Sequence, residues 1–213
     1  MAALRIAIPI FDQLTALDAV GPYEVLSRLP DATVSFVAAE PGPKRTENGM
    51  LALTADLSFA ELTDPDVIVV PGGIGTRALM HDEPTLAWLR GAHRTAQWTT
   101  SVCTGSLLLA AAGLLHGLEA TTHWMAMDLL GELGAVPVSR RVVQAGTIIT
   151  AAGVSSGIDM ALTLAAHIGG DRVAQAIQLG IEYDPEPPFR SGSLAVASPE
   201  VVAMVRAAAG RLA

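Results

Sequence analysis

Short unbroken apolar runs alternate along this chain with stretches whose apolar residues recur at helical spacing. The first run, Leu4 to Ile10, carries Ile6, Ile8 and Ile10 and predicts a strand covered on both faces. Residues 14–26 predict a helix with Leu14, Leu17, Val25 and Leu26 on one buried face, interrupted at Gly21-Pro22. Residues 33–39 predict a second strand, stopped by Glu40-Pro41-Gly42-Pro43, and Asn48-Gly49 predicts the turn of a small hairpin. Asp66 to Val70 reads as a compact buried strand running into Pro71-Gly72-Gly73-Ile74-Gly75. Pro84 suits the first turn of a helix in which Trp88 and Leu89 are packing residues. Residues 97–102 favour a strand and the Leu/Ala run after them a helix, closed by Gly113. A short strand and helix follow around residues 118–125, then strands at 136–138, 142–144 and 147–150. Ser156 and Asp159 have the spacing of a capping box before a helix reaching Ile168. A helix at 171–179, a Pro-rich extended stretch at 183–189 and a last helix opened by Ser198-Pro199-Glu200 complete the pattern. Strands alternating with helices predict one α/β domain over residues 1–213, with a mostly parallel sheet between helical layers.

Composition narrows the partners. Of 213 residues, 51% are hydrophobic and 16% charged, which fits a large core and excludes disorder. No apolar run reaches membrane-spanning length, and no leader segment is visible, so a cytoplasmic enzyme or binding domain is expected. The net charge of −8 and the scattering of the 13 basic residues argue against nucleic acid. A single cysteine excludes an internal disulfide and a cysteine-based zinc cluster. His81, His93, His116 and His167 lack ligand spacing, so no metal site is assigned.

That cysteine sits in Ser101-Val102-Cys103-Thr104-Gly105, where a predicted strand meets a predicted helix. A sharp turn there, with small residues two positions to either side, exposes the central side chain as a nucleophile elbow does. The helix start points its unpaired N–H groups at the thiol, so a lowered pKa is expected for Cys103. The alternative is an inert buried cysteine. Asp18 stands among apolar residues just past the first strand, either as a structural acid at a helix start or as a functional one at the ligand-binding edge of a parallel sheet. Gly72 and Gly73 end another strand; they form either a plain tight turn or a set of backbone N–H donors for developing negative charge. His123 is either a base near a strand end or a hydrogen-bonded core histidine.

Together with Leu14-Thr15-Ala16-Leu17-Asp18, Gly21-Pro22-Tyr23-Glu24-Val25, Val69-Val70-Pro71-Gly72-Gly73, Thr121-Thr122-His123-Trp124 and Glu182-Tyr183-Asp184-Pro185, this elbow resembles the DJ-1/PfpI superfamily over essentially the whole chain. Within it the chain is most similar to the isonitrile (isocyanide) hydratases. The resemblance implies a flavodoxin-like three-layer α/β/α sandwich, a homodimer, no cofactor, and a small-molecule isonitrile as substrate. It implies Cys103 as nucleophile, Asp18 as the acid and Thr104 beside them, with the Gly73 and Thr104 N–H groups facing developing charge. Gly72, His123 and Trp124 are expected to meet the substrate. Peptidase-like members carry His after the cysteine; Thr104 here counts against proteolysis and against a Cys-His dyad. Three other readings stay open: a glyoxalase or deglycase of the same superfamily, a sensor domain like those of AraC-type regulators, and an oxidation-sensing cysteine protein. The regulators continue into a helix-turn-helix region, and no basic DNA-reading stretch is visible here.

Overall fold

The computed structural model describes residues 3–209, which fall into two compact units divided between Ile181 and Glu182. The first unit opens with β1 (Leu4–Pro9), α1 (Ala16–Leu26), β2 (Ala32–Ala38), β3 (Gly42–Arg45), β4 (Ala52–Ala55) and β5 (Leu57–Ser58). It continues with β6 (Val67–Val70), α2 (Thr76–Leu79), α3 (Glu83–His93), β7 (Trp98–Val102) and α4 (Gly105–Ala111). Then come β8 (Glu119–Ala120), a 3-10 turn (Trp124–Ala126), α5 (Met127–Glu132), β9 (Val136–Pro137), β10 (Val142–Ala145), β11 (Ile148–Ala151), α6 (Ser156–Gly169) and α7 (Asp171–Gly180). The second unit holds a Pro-rich stretch with no helix or strand and α8 (Pro199–Ala209). Among the described residues, no helix is long and apolar enough to cross a membrane.

Seven strands form one sheet in the order β10-β11-β7-β6-β1-β2-β5, with every neighbouring pair parallel except β10–β11. Continuous apolar strands are what such a sheet needs, because both faces are covered. In β6, Val67 and Val69 join a core with Val25, Leu26, Met160 and Leu164 of α1 and α6. Ile68 and Val70 of the same strand join a second core with Leu89 of α3 and Leu107 and Leu109 of α4. The period of two therefore splits each strand between two helical layers. The chain moves outward from β1 to β2, and later returns to the other side of β1 as β6. That reversal opens a crevice at the carboxyl ends of β1 and β6, where parallel sheets gather ligands.

Three local expectations are corrected. α1 runs unbroken through Gly21-Pro22. A Cβ on Gly21 would lie 3.1 Å from Ile158, so the glycine lets α6 come close, and this packing outweighs the helix-breaking tendency of the pair. Leu17 is 42% exposed, off the buried face. The capping box at Ser156 does not form: Ser156 donates to the Gly153 carbonyl at 3.1 Å, and Asp159 pairs with Arg141.

Candidate active site

β7 ends at Val102, and the next residue, Cys103, takes φ +56° before α4 begins. An L-residue in this region costs about 1–3 kcal/mol and persists only where its surroundings hold it. Here the Cys103 N–H reaches the carbonyls of Ala151 and Ala152 at 3.0 and 3.1 Å. Its carbonyl accepts from the hydroxyls of Thr122 and Ser106 at 2.9 and 3.1 Å. Gly105 has no room for a side chain, since a Cβ would stand 2.1 Å from the Val70 carbonyl oxygen. The elbow read from the sequence is thus a strained, five-point arrangement.

Asp18, in the first turn of α1, is fully buried. Its Oδ2 accepts the Gly72 N–H at 3.0 Å, while Oδ1 is buried with no hydrogen-bond partner. The carboxyl and the Cys103 thiol interact directly. Thr104 lies on the other side of the same loop: its Oγ1 accepts the Gly73 N–H at 2.9 Å and lies 3.2 Å from the Gly73 carbonyl oxygen. The Thr104 N–H and hydroxyl also favour the charged form of the thiol. The glycine loop is sewn to the start of α1, with the Thr15 N–H donating to the Gly72 carbonyl at 2.9 Å.

Two expectations change. The Gly73 N–H does not face a ligand; it is bound to Thr104, just as the Gly72 N–H is bound to Asp18. Both glycines therefore hold the side chains of Asp18 and Thr104 in place. The thiol pKa is raised well above its ordinary value, not lowered. Burial is the first cause and the neighbouring Asp18 charge the second, and together they outweigh the donors at the helix start. Burial also pushes Asp18 up from 3.8 to about 7, against the Gly72 and Cys103 hydrogen bonds, with a smaller push from Glu47. Two buried acids in contact titrate as a pair, each holding the other's proton more tightly once one of them is charged.

The structure brings Asp18, Gly72, Gly73, Cys103 and Thr104 together. His123 stands one residue beyond Thr122, half-buried over Gly153, whose added Cβ would meet its ring at 2.3 Å. Its ring lies 5.6 Å from that of Trp124. Burial and then Arg77 lower the His123 pKa, which favours a neutral imidazole. The sequence reading does not include Thr122 and Ser106, which brace the Cys103 carbonyl, among the site residues. Their hydroxyls act on a backbone atom, and side-chain chemistry alone gives no signal for that.

A cysteine elbow faced by a buried carboxylic acid, at the carboxyl edge of a flavodoxin-like sheet, defines a class of cysteine-nucleophile α/β proteins. The chain belongs to the DJ-1/PfpI family, whose model matches residues 4–167. It is 48% identical over 200 residues to the isonitrile hydratase of Pseudomonas putida, covering 94% of this chain and 87% of that protein. A crystal structure of a ThiJ/PfpI family protein from Pseudomonas syringae superposes with a TM-score of 0.94 at 38% identity, covering 100% of this chain and 88% of the other. The HTH-type transcriptional regulator CdhR of Pseudomonas aeruginosa is 32% identical over 172 residues, which is 78% of this chain but 50% of the regulator.

Proposed function

We propose that this chain is an isonitrile hydratase that converts R–N≡C and water into R–NH–CHO. The 48% identity to a protein of that name supports the reaction. The single observation that carries the mechanism is the fully buried Asp18 carboxyl set against the Cys103 thiol at the elbow; with one shared proton between them, sulfur is the nucleophile and Asp18 the acid. In the first half, the sulfur of Cys103 attacks the terminal carbon and the S–C bond forms. The shared proton passes from Asp18 to that carbon, and the triple bond becomes the double bond of a thioimidate. In the second half, water adds across C=N with its oxygen on carbon and a proton on nitrogen. Asp18 takes the remaining water proton and returns it to sulfur as the C–S bond breaks and the formamide leaves. The charge that builds in the first half sits on carbon and is quenched by a proton. A pair of glycine N–H groups aimed at an oxyanion is therefore not required there, which fits their use in holding Asp18 and Thr104.

Thr104 keeps the thiolate form accessible, and Gly72, His123 and Trp124 flank the substrate. We also infer a cytoplasmic homodimer. The exposed Leu17, Met50 and Leu51, at 42%, 87% and 49%, are the kind of apolar side chains a partner subunit covers. Light scattering on the purified protein tests this, and a monomer at micromolar concentration refutes it.

Turnover of a small alkyl isonitrile, followed by NMR of the formamide product, tests the reaction. Cys103→Ala falls to the uncatalysed background, and Asp18→Asn loses about 10²–10⁴-fold, the usual worth of general acid–base catalysis. Full activity in either variant refutes the mechanism. Lactate from methylglyoxal, with no formamide from any isonitrile, assigns the chain to the glyoxalase reading instead.

A further inference from the structure

A second acid sits at the start of the helix that carries Asp18. The turn between β3 and β4 is laid against the segment leading into α1, where Leu14 bridges to Thr46 on one side and to Gly73 on the other. The Glu47 N–H donates to the Leu14 carbonyl at 3.1 Å, and the Glu47 carboxylate accepts the Thr15 hydroxyl at 3.2 Å. Thr15 stands just before α1, where a threonine hydroxyl ordinarily accepts an N–H of the first turn. It makes no such bond here; its hydroxyl is turned to Glu47.

That diversion matters for Asp18, which lies in the first turn of the same helix. The positive end of a helix favours a charged carboxylate there. Glu47 brings a negative charge to that end and works against it. The Asp18 carboxyl also suits the neutral form: one oxygen accepts the Gly72 N–H at 3.0 Å, and the other is buried with no partner. Ionisation would leave that second oxygen bare, whereas a proton on it removes the charge.

The charges facing Asp18 are few. The Cys103 thiol approaches from the elbow after β7, and Glu47 from the hairpin. Arg45, two residues before Glu47, gives its guanidinium to the Gly49 carbonyl at 3.1 Å. On α6, which packs against α1, Asp159 is engaged by Arg141 and His167 by Gln144. Glu24, toward the other end of α1, is paired with Arg28. Among the described residues no ion pair holds Glu47, so its charge is not neutralised by a cation of the chain.

We propose that Glu47 is a positioning residue for the isonitrile reaction, its carboxylate holding the Thr15 hydroxyl so that the start of α1 leaves Asp18 its proton, a role that rests on Asp18 acting there as the acid. Glu47→Gln keeps an oxygen for the Thr15 hydroxyl and removes only the charge. The carbon-13 NMR shift of the Asp18 carboxyl, identified by its loss in Asp18→Asn, is titrated without substrate. Its wild-type midpoint lies at about 7. In Glu47→Gln the midpoint falls by about 0.2–0.7 of a pH unit at low ionic strength, the usual worth of one charge at a helix end, and by less in high salt. The acid limb of kcat/KM on an alkyl isonitrile moves down by the same amount, and the plateau above it is kept. An unmoved midpoint overturns the proposal, and so does a lowered plateau with the limb unmoved, which marks Glu47 as a structural contact. A wild-type protein that hydrates no isonitrile overturns the reaction alone: the midpoint, read without substrate, still decides the coupling of Glu47 to Asp18.

Discussion

β6 and β7 are neighbours, run the same way and end at the same edge, with Val70 paired to Ser101. Their turns nonetheless solve opposite problems. After β6 the chain uses Gly72 and Gly73, the second at φ +134°, and presents only backbone. After β7 it uses Cys103 at φ +56° and presents a side chain under strain. The first turn fixes partners by donating its N–H groups to Asp18 and Thr104. The second is itself fixed by donors and acceptors from β11, Thr122 and Ser106. One turn is scaffold and the other presents the side chain to which the proposed reaction assigns the attack, and neither residue type can do the other's work.

The largest break in this comparison comes from giving the scaffold turn a side chain. A Cβ on Gly72 would lie 2.5 Å from the Thr104 nitrogen, 2.7 Å from its hydroxyl and 2.9 Å from Asp18 Oδ2. The nearest of these is backbone and cannot rotate away, so Asp18, Gly72 and Thr104 must move apart. Misplacement by about 1 Å costs about 10²-fold in rate. Gly72→Ala should therefore lose about a hundredfold in turnover while the far-ultraviolet circular dichroism stays native. Wild-type turnover in that variant would mean the loop yields, and the scaffold role would be lost.

Asp18 sharpens the comparison next, because its proton links chemistry to stability with opposite signs. Its pKa rises from 3.8 to about 7 on burial. The reactive pair needs one proton, not two, so kcat/KM rises with pH through about 7. Stability runs the other way. A carboxyl with a raised folded pKa stabilises the native state fully below its unfolded value. That contribution is lost as pH climbs from about 4 to about 7. Asn at this position stays neutral throughout. Asp18→Asn should keep its loss of about 10²–10⁴-fold in turnover yet be more stable than the wild type at pH 8, by on the order of 2–4 kcal/mol, with the gap closing by about pH 4. Urea titrations at the two pH values decide it: an unchanged gap would remove burial of the charge as its source.

What the sequence made legible follows the same division. The runs at Leu4 to Ile10 and Asp66 to Val70 read directly as buried parallel strands, because both faces of such strands demand apolar side chains. The elbow was legible because Ser101 and Gly105 are small and the helix formers begin at once. The thiol pKa was misread because the helix start is visible in the sequence, whereas the depth of burial and the Asp18 contact are tertiary. The Gly73 N–H was misassigned for a similar reason: whether it faces a ligand depends on where the Thr104 hydroxyl points. Asp159 has capping-box spacing, yet it turns to Arg141, 18 residues away. Spacing reports what a local partner can do, and it is silent about a better partner from elsewhere.

The smallest test asks whether the strain belongs to the cysteine's backbone or to its side chain. Alanine at position 103 keeps a Cβ at φ +56°, whereas glycine adopts that conformation without the steric cost. Both remove the sulfur, so both are inactive and any difference between them is conformational. Cys103→Gly should exceed Cys103→Ala in urea midpoint by the equivalent of about 1 kcal/mol, with the same slope. The five-point bracing of this residue sets the alternative. If its five backbone hydrogen bonds, the Ser106 N–H to the Cys103 carbonyl at 3.5 Å included, already relax the angle, the two variants will melt together. A clear gap instead means the fold stores strain at Cys103, whereas Gly73 across the way reaches its own positive φ at no such cost.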